Sequence, residues 1–199
     1  MTEPDASLVA DTRPSLKTGR LTLGPFSLDD EEAVFTICRE KEIAANTRTI
    51  PQPYPRDQAA HWIKQHPELW QNGKAAIFAI CETDSEELVG AIGLEIDEVD
   101  QNAELGYWVD KKRWGQGICS EAAAAVLRFG FEELALNRIH AHYITSNPAS
   151  GRVMEKIGMK SEGLLRQHVR KWGKFYDVSV CGLLKSDFAN QQQSGENAE

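Results

Sequence analysis

No apolar run in the 199 residues approaches the ~20 that a membrane-spanning helix requires. The N-terminus, "MTEPDASLVADTRPS", lacks both the basic start and the apolar core of a signal peptide. With nothing to direct export, a cytoplasmic protein is expected. Cysteine is sparse: Cys38, Cys81, Cys119 and Cys181 lie far apart and form no C-x-x-C, which argues against a disulfide framework and a zinc knuckle. The five histidines include no H-E-x-x-H. His140 and His142 would share one face of a strand, but no nearby third ligand is evident in the sequence, so no metal is expected. Positive charge is also in deficit. A formal net charge of −8 argues against broad nucleic-acid binding, which needs a basic face to displace counterions. The same acidity suits a cationic partner such as an amine, or serves only to keep the chain soluble.

What is present is an ordinary globular composition, 41% hydrophobic and 26% charged, enough for one domain with a sizeable core. Residues 1–15 and the tail 189–199 are polar and unpatterned and are read as loose, flanking a domain over 16–188. Within it, "GRLTLGPF" reads as a strand, and "SLDDEEAVFTICREKE" as a helix capped by Ser27 or Asp29. "NTRTIPQPYPRD" carries three prolines and reads as a loop, and "RDQAAHWIKQHPELW" as a helix interrupted near Pro67. Three strands follow, "KAAIFAICE", "ELVGAIGLEI" and "AELGYWVD", joined by acidic hairpin segments. A helix from about Ser120 to Leu136, the strand "RIHAHYIT", the helix "PASGRVMEKIG" and two strands around Trp172-Gly173 complete the order β-α-α-β-β-β-α-β-α-β-β. That order predicts an α+β domain on one mixed sheet with flanking helices.

The most informative stretch is "RWGQGICSEA". A strand ending near Val109, then Gly115 and Gly117, then a helix start, form a cradle for an anion. Helix N-termini carry unpaired N–H groups and partial positive charge, and glycine lets a phosphate approach the backbone. Lys111, Lys112 and Arg113 lie just upstream, where they would steer a polyanion, or are merely solvated beside a connecting turn. The stretch has no G-K-[ST] and lacks the third glycine of a dinucleotide fingerprint.

Together with "AELGYWV", "ITSNPASGRVMEKIGM" and "YDVSVCGLL", this stretch resembles the GNAT N-acetyltransferase superfamily over roughly residues 16–188. Within it, the resemblance is to the RimJ/RimL-like branch that acetylates ribosomal-protein N-termini. The resemblance implies a mostly antiparallel sheet with a splayed central strand pair. It also implies acetyl-coenzyme A as cosubstrate, without a metal, and direct acetyl transfer to a primary amine. The family's pyrophosphate loop, [QR]-x-x-G-x-[GA], aligns here with Trp114 at its first place and Cys119 at its last, the latter a departure. By resemblance, Gly115, Gln116, Gly117, Ile118, Cys119 and Ser120 hold the coenzyme, with Trp108 and Val109 at the splay. Cys119 is not needed as a nucleophile.

Glu104 falls where an acid of the family faces the acceptor cleft, on a strand face shared with Gly106 and Trp108. It is either the general base or an exposed or ion-paired glutamate. Gly106 suits a bulge or relieves crowding against Trp108. Asn147 before Pro148 is a helix N-cap, and in the family's N-x-x-S pattern it contacts the coenzyme while Ser150 lies near the sulfur as a candidate donor to the leaving thiolate. "TIPQPYP" and the hairpin around residues 171–176 flank the cleft, with Tyr54, Trp62, Trp172 and Tyr176 lining it or covering core. The partner is then an amine, a peptide N-terminus or a small molecule, with no nucleic acid or membrane involved and the chain a monomer or homodimer. The alternatives are a non-catalytic acyl-coenzyme A-binding module on the same fold, or a nucleotide site at the glycine turn.

Overall fold

Eight strands pair into one sheet in the computed structural model, which describes residues 13–196. They are β1 (Leu16–Lys17), β2 (Leu21–Gly24), β3 (Ala75–Glu82), β4 (Leu88–Asp97), β5 (Asn102–Val109), β6 (Arg138–Ile144), β7 (Lys160–Lys171) and β8 (Lys174–Leu184), in the spatial order β1-β2-β3-β4-β5-β6-β8-β7. Every pair is antiparallel except β5 with β6. The turn between β7 and β8 explains itself: Trp172 and Gly173 have φ of 49° and 80°, the two positive angles of a tight hairpin.

Helices cover both faces. On β5, Ala103, Leu105 and Val109 point into the larger core with Ile118, Ala122, Ala123, Val126 and Leu127 of α4 (Ile118–Glu132). Met154 of α5 (Pro148–Lys156) joins them, and Phe188 of α6 (Lys185–Glu196) packs alongside. On the other face, Trp108 packs with a second core built from Val34 and Cys38 of α1 (Glu31–Cys38) and Ala59 and Ile63 of α3 (Gln58–Gln71). The short α2 (Lys41–Asn46) bridges α1 to the proline-rich loop. The alternation of β5 thus places Glu104, Gly106 and Trp108 on the α1–α3 side, as the strand period predicts.

Several elements differ from expectation. α3 runs through Pro67 without a break, because the proline falls in the last turns while Ile63, His66 and Trp70 of the same face pack inward. α4 starts at Ile118 and stops at Glu132, and Ala135 then takes a positive φ of 55° that carries the buried Leu136 back to the core. The polar segment after Phe188 continues α6 to Glu196, and β1 and α2 are additional short elements. Residues 1–12 of the segment read as loose lie outside the described residues. Among the described residues no helix is long and apolar enough to cross a membrane.

Candidate active site

The sheet opens at its one parallel seam. β5 and β6 pair only at Asn102–Arg138, Ala103–Ile139 and Glu104–His140, after which the strands diverge. The β5 edge from Leu105 to Val109 therefore has no strand partner on its β6 side, while its other edge keeps unbroken register with β4. The bulge expected at Gly106 is absent: Gly106 sits directly opposite Gly93 in continuous register. Crowding against Trp108 does not account for it either, since a Cβ there would meet nothing within 4 Å.

Two cavities flank the opening. One, of about 250 Å³, is lined by Trp108, Val109, Gly115, Gly117, Ile118, Cys119, Ser120, Asn147 and Ser150. These are all the residues expected to hold the coenzyme except Gln116, whose side chain donates to the Lys112 carbonyl at 3.2 Å. The second cavity, about 340 Å³, lies across the sheet and is lined by Glu104, Gly106, Tyr54, Trp62, Arg48 and His142 among others. Asn46, Thr47, Tyr107, Trp108 and Ser150 border both.

The glycine turn presents donors to the first cavity. Gly117 is the N-cap of α4 with φ 82° and ψ 0°, and no side chain caps the helix. The first intrahelical bond of this end runs from Glu121 N–H to the Gly117 carbonyl at 3.0 Å, so the N–H groups of Ile118, Cys119 and Ser120 have no helical acceptor. Gly115 has φ 76°, and a Cβ there would project into open space. The turn is braced from behind: Arg20 donates to the Gln116 carbonyl at 3.1 Å and to both Glu121 carboxylate oxygens, while Thr18 donates to Glu121 at 2.6 Å. The Trp114 indole donates to the Val109 carbonyl at 2.8 Å and locks the turn to the end of β5. The upstream basic cluster is largely neutralised, Lys111 by Glu42 and Arg113 by Glu82 and Glu87. Arg113, Arg152 and Lys156 nonetheless line this cavity. These features, an uncapped helix start, open glycines and the cations Arg152 and Lys156 on the wall, fit a diphosphate.

Burial pushes the Cys119 thiol up to about 12, so at neutral pH it keeps its proton.

Ser150 opens α5, its N–H donating to the Asn147 side chain at 3.3 Å, which is the expected cap. Its hydroxyl lies 2.7 Å from the Tyr107 phenol oxygen. Tyr107 went unnoticed in the sequence because it belongs to the core-facing parity of β5, and only the splay brings it to the cavity wall. Burial raises its phenol, so it stays protonated.

Glu104 is half-buried beside an imidazole and a guanidinium. His142 Nδ1 lies 3.0 Å from its Oε1 and Arg48 Nη2 is 3.7 Å from its Oε2. His140, in register with Glu104 on β6, stacks edge-on against His142 with ring centroids 5.3 Å apart, and burial lowers its pKa. Tyr54 and Trp62 line the second cavity, whereas Trp172 is about half exposed and packs against the ammonium groups of Lys41 and Lys171. Tyr176 joins a small cluster with Ile144, Val169 and Val178. Lys171 is nearly buried, its ammonium donating to the Ala44 and Thr47 carbonyls at the end of α2, which ties the hairpin to the rim of both cavities.

Comparison with known proteins places the chain. Residues 20–160 match the family model described as an acetyltransferase (GNAT) domain. An uncharacterised N-acetyltransferase of Bacillus subtilis, YoaA, is 32% identical over 173 residues, covering 86% of this chain and 97% of the relative. The ribosomal-protein-serine acetyltransferase of Escherichia coli is 31% identical over 133 residues, 66% of this chain and 73% of the relative. A GNAT acetyltransferase structure from Bacillus anthracis superposes with a TM-score of 0.77 at 26% identity, covering 87% of this chain and 99% of that one. The chain belongs to the GNAT family. It is an acetyl-coenzyme A-dependent N-acetyltransferase on a single mixed eight-stranded sheet.

Proposed function

We propose that the chain transfers acetyl directly to an α-amine or a weakly basic small amine, with Glu104 as general base and Ser150 as hydrogen-bond donor to the leaving thiolate. The single observation that carries this reading is the junction of the two cavities at Tyr107, Trp108 and Ser150, with Glu104 on the wall of one and the α4 N-terminus on the wall of the other. An amine entering beside Glu104 and a thioester entering from the glycine turn then meet at the splay.

Acetyl-coenzyme A supplies the thioester, and Gly115, Gly117, Ile118, Cys119, Ser120, Arg152 and Lys156 would hold its phosphates. The other steps belong to the chain. Glu104, oriented by His142 and Arg48, accepts a proton from the acceptor ammonium, directly or through water. The Ser150 hydroxyl donates a hydrogen bond toward the departing sulfur and is held in place by the Tyr107 phenol 2.7 Å away, which retains its proton at neutral pH; the thiolate is protonated from solvent on release. Free N–H groups on the unpaired edge of β5 are suited to a developing oxyanion. One carboxylate is an adequate base for an α-amine of pKa about 8 and hard pressed for a lysine near 10.4.

The acceptor cavity favours a modest positive charge. Its wall carries two carboxylates, Glu104 and Glu95, against one guanidinium, Arg48, with Asn46, Gln58 and His168 set among apolar and aromatic residues, a balance that suits a single amine better than a polyamine. The Escherichia coli relative's action on a ribosomal protein supports a protein N-terminus as the first acceptor to try. The test is thiol release from acetyl-coenzyme A across peptide N-termini, lysine peptides, polyamines and aminoglycosides. Turnover of α-amines or weakly basic small amines, and not of lysine peptides or polyamines, is expected. Tight acetyl-coenzyme A binding with no turnover on any acceptor would instead establish the binding-module reading.

A further inference from the structure

The sequence shows a pair of histidines at alternate strand positions and no third ligand. The fold supplies one from the neighbouring strand. His140 and His142 point to the same side of β6, and Glu104 is the register partner of His140 across the parallel seam. One donor atom from each of the three lies within 4.8 Å of the others, and all three side chains are half-buried. The nearest pair, His142 Nδ1 and Glu104 Oε1, is 3.0 Å apart.

We propose that His140, His142 and Glu104 form a His₂Glu site for a divalent transition cation, Zn²⁺ in the first instance, whose occupancy takes Glu104 out of acetyl transfer. Tetrahedral zinc with bonds of about 2.0–2.2 Å needs donor atoms about 3.3 Å apart. The present spread of at most 4.8 Å is within reach of side-chain rotation, since Glu104 and His140 are register partners across the seam and His142 Nδ1 already lies 3.0 Å from Glu104 Oε1. Two imidazoles and one carboxylate select zinc, copper or nickel over magnesium or calcium, which take oxygen ligands. The arrangement leaves a coordination position open. Glu104 and His142 line the 340 Å³ cavity, so water or an acceptor amine can complete the sphere. The opposing charge is Arg48, 3.7 Å from Glu104 Oε2; its side chain is 50% exposed and free to swing into solvent. Arg138, next along β6, is already held by Glu162.

Cation binding does not depend on the acetyl-transfer reading, whereas the inhibition does, because it requires Glu104 as the base. Two experiments on the full chain separate them. After chelator treatment, Co²⁺ is added at one equivalent and its absorption recorded. The proposal requires visible d–d bands of a low-coordinate nitrogen and oxygen site, without the near-ultraviolet thiolate band that Cys119 or another cysteine would give. Competition between a chromophoric chelator and the protein for Zn²⁺ should show one site per chain, weakened about tenfold or more by His140→Gln and likewise by Glu104→Gln. Failure to bind one equivalent of either cation, a thiolate band, or unaltered Zn²⁺ affinity in both variants would each overturn the site. Acetylated product is then followed by mass spectrometry as Zn²⁺ is raised, each protein compared with its own metal-free rate. Wild type should lose activity in step with occupancy and regain it with chelator, Mg²⁺ having no effect, and His140→Gln should need about tenfold more Zn²⁺. Stoichiometric Zn²⁺ binding with full turnover would overturn the competition for Glu104.

Discussion

Replacing Glu104 with glutamine keeps the side-chain volume and a hydrogen-bonding oxygen for His142 while removing the charge that attracts the acceptor's proton. General-base assistance is typically worth 10²–10⁴ in rate, or about 3–5 kcal/mol at 1.36 kcal/mol per decade. We expect kcat/KM for the acceptor at pH 7 to fall by that factor. The KM for acetyl-coenzyme A should stay put, because Glu104 is not on the wall of the 250 Å³ cavity. The variant also reports on its acceptor. Without a base the reaction waits for amine that is already neutral. An α-amine of pKa about 8 is roughly a tenth neutral at pH 7, so raising the pH to 9 restores no more than about tenfold. A lysine near 10.4 gains about a hundredfold over the same interval. The assay is thiol release against pH with wild type and variant side by side. A Glu104→Gln enzyme within about twofold of wild type at pH 7 would remove the carboxylate from the chemistry, whatever the fold.

Ser150→Ala and Tyr107→Phe should each lower kcat by about tenfold to a hundredfold with little change in acceptor KM, and the double variant should be no worse than the poorer single one if the hydroxyls act as one unit; additive losses in the cycle would refute the coupling. Gly117→Val places a β-branched residue at φ 82°, which costs about 1–2 kcal/mol of stability and crowds the donors of the turn; the KM for acetyl-coenzyme A should rise while thermal unfolding shifts only a few degrees. Lys171→Met leaves the buried Ala44 carbonyl and the half-buried Thr47 carbonyl without their donor, and denaturant unfolding should show a loss of about 1–3 kcal/mol. Cys119, its pKa pushed up to about 12, should alkylate slowly at pH 7 and quicken roughly tenfold per pH unit through pH 9 without a plateau, since the thiolate fraction keeps rising until the pH passes the pKa; a plateau near the ordinary thiol range would contradict its burial.

The parts of the site legible in the sequence are those built within one segment. The glycine turn, the cap at Asn147-Pro148 and the face of β5 carrying Glu104 each follow from local spacing, and each occupies the position that spacing predicts. What escaped is contact between segments. The Tyr107–Ser150 bond joins residues 43 apart in the chain, the Glu104–His142 bond joins residues 38 apart, and Lys171 reaches α2 from the far hairpin. Parity misled at Tyr107: in an unbroken sheet a core-facing tyrosine would have no access to a ligand. Composition misled after Phe188, where a polar run is helical because α6 is anchored at its start by Phe188 against Phe131 and by Asp187 to Lys160. At Pro67 the local rule gave way to burial of the helix face around it.

The two glycines facing each other across β4 and β5 show how the splay divides structural from functional necessity. Gly93 and Gly106 are register partners and both border the 340 Å³ cavity. A Cβ at Gly93 would come within 2.9 Å of the Ala76 carbonyl and 3.1 Å of the Ile77 Cα, backbone atoms of a paired strand that cannot yield. A Cβ at Gly106 would meet nothing within 4 Å, on the stretch of β5 that has lost its β6 partner. Gly93→Ala should therefore cost about 1–3 kcal/mol of stability through overpacking. Gly106→Ala should leave the fold as stable as wild type while taking space from the acceptor beside Glu104. Its expected signature is a raised acceptor KM with an unchanged melting temperature, growing from alanine to valine. If Gly106→Val binds and acetylates every acceptor as wild type does, the amine does not approach along this edge, and the cavity beside Glu104 is not where the reaction takes place.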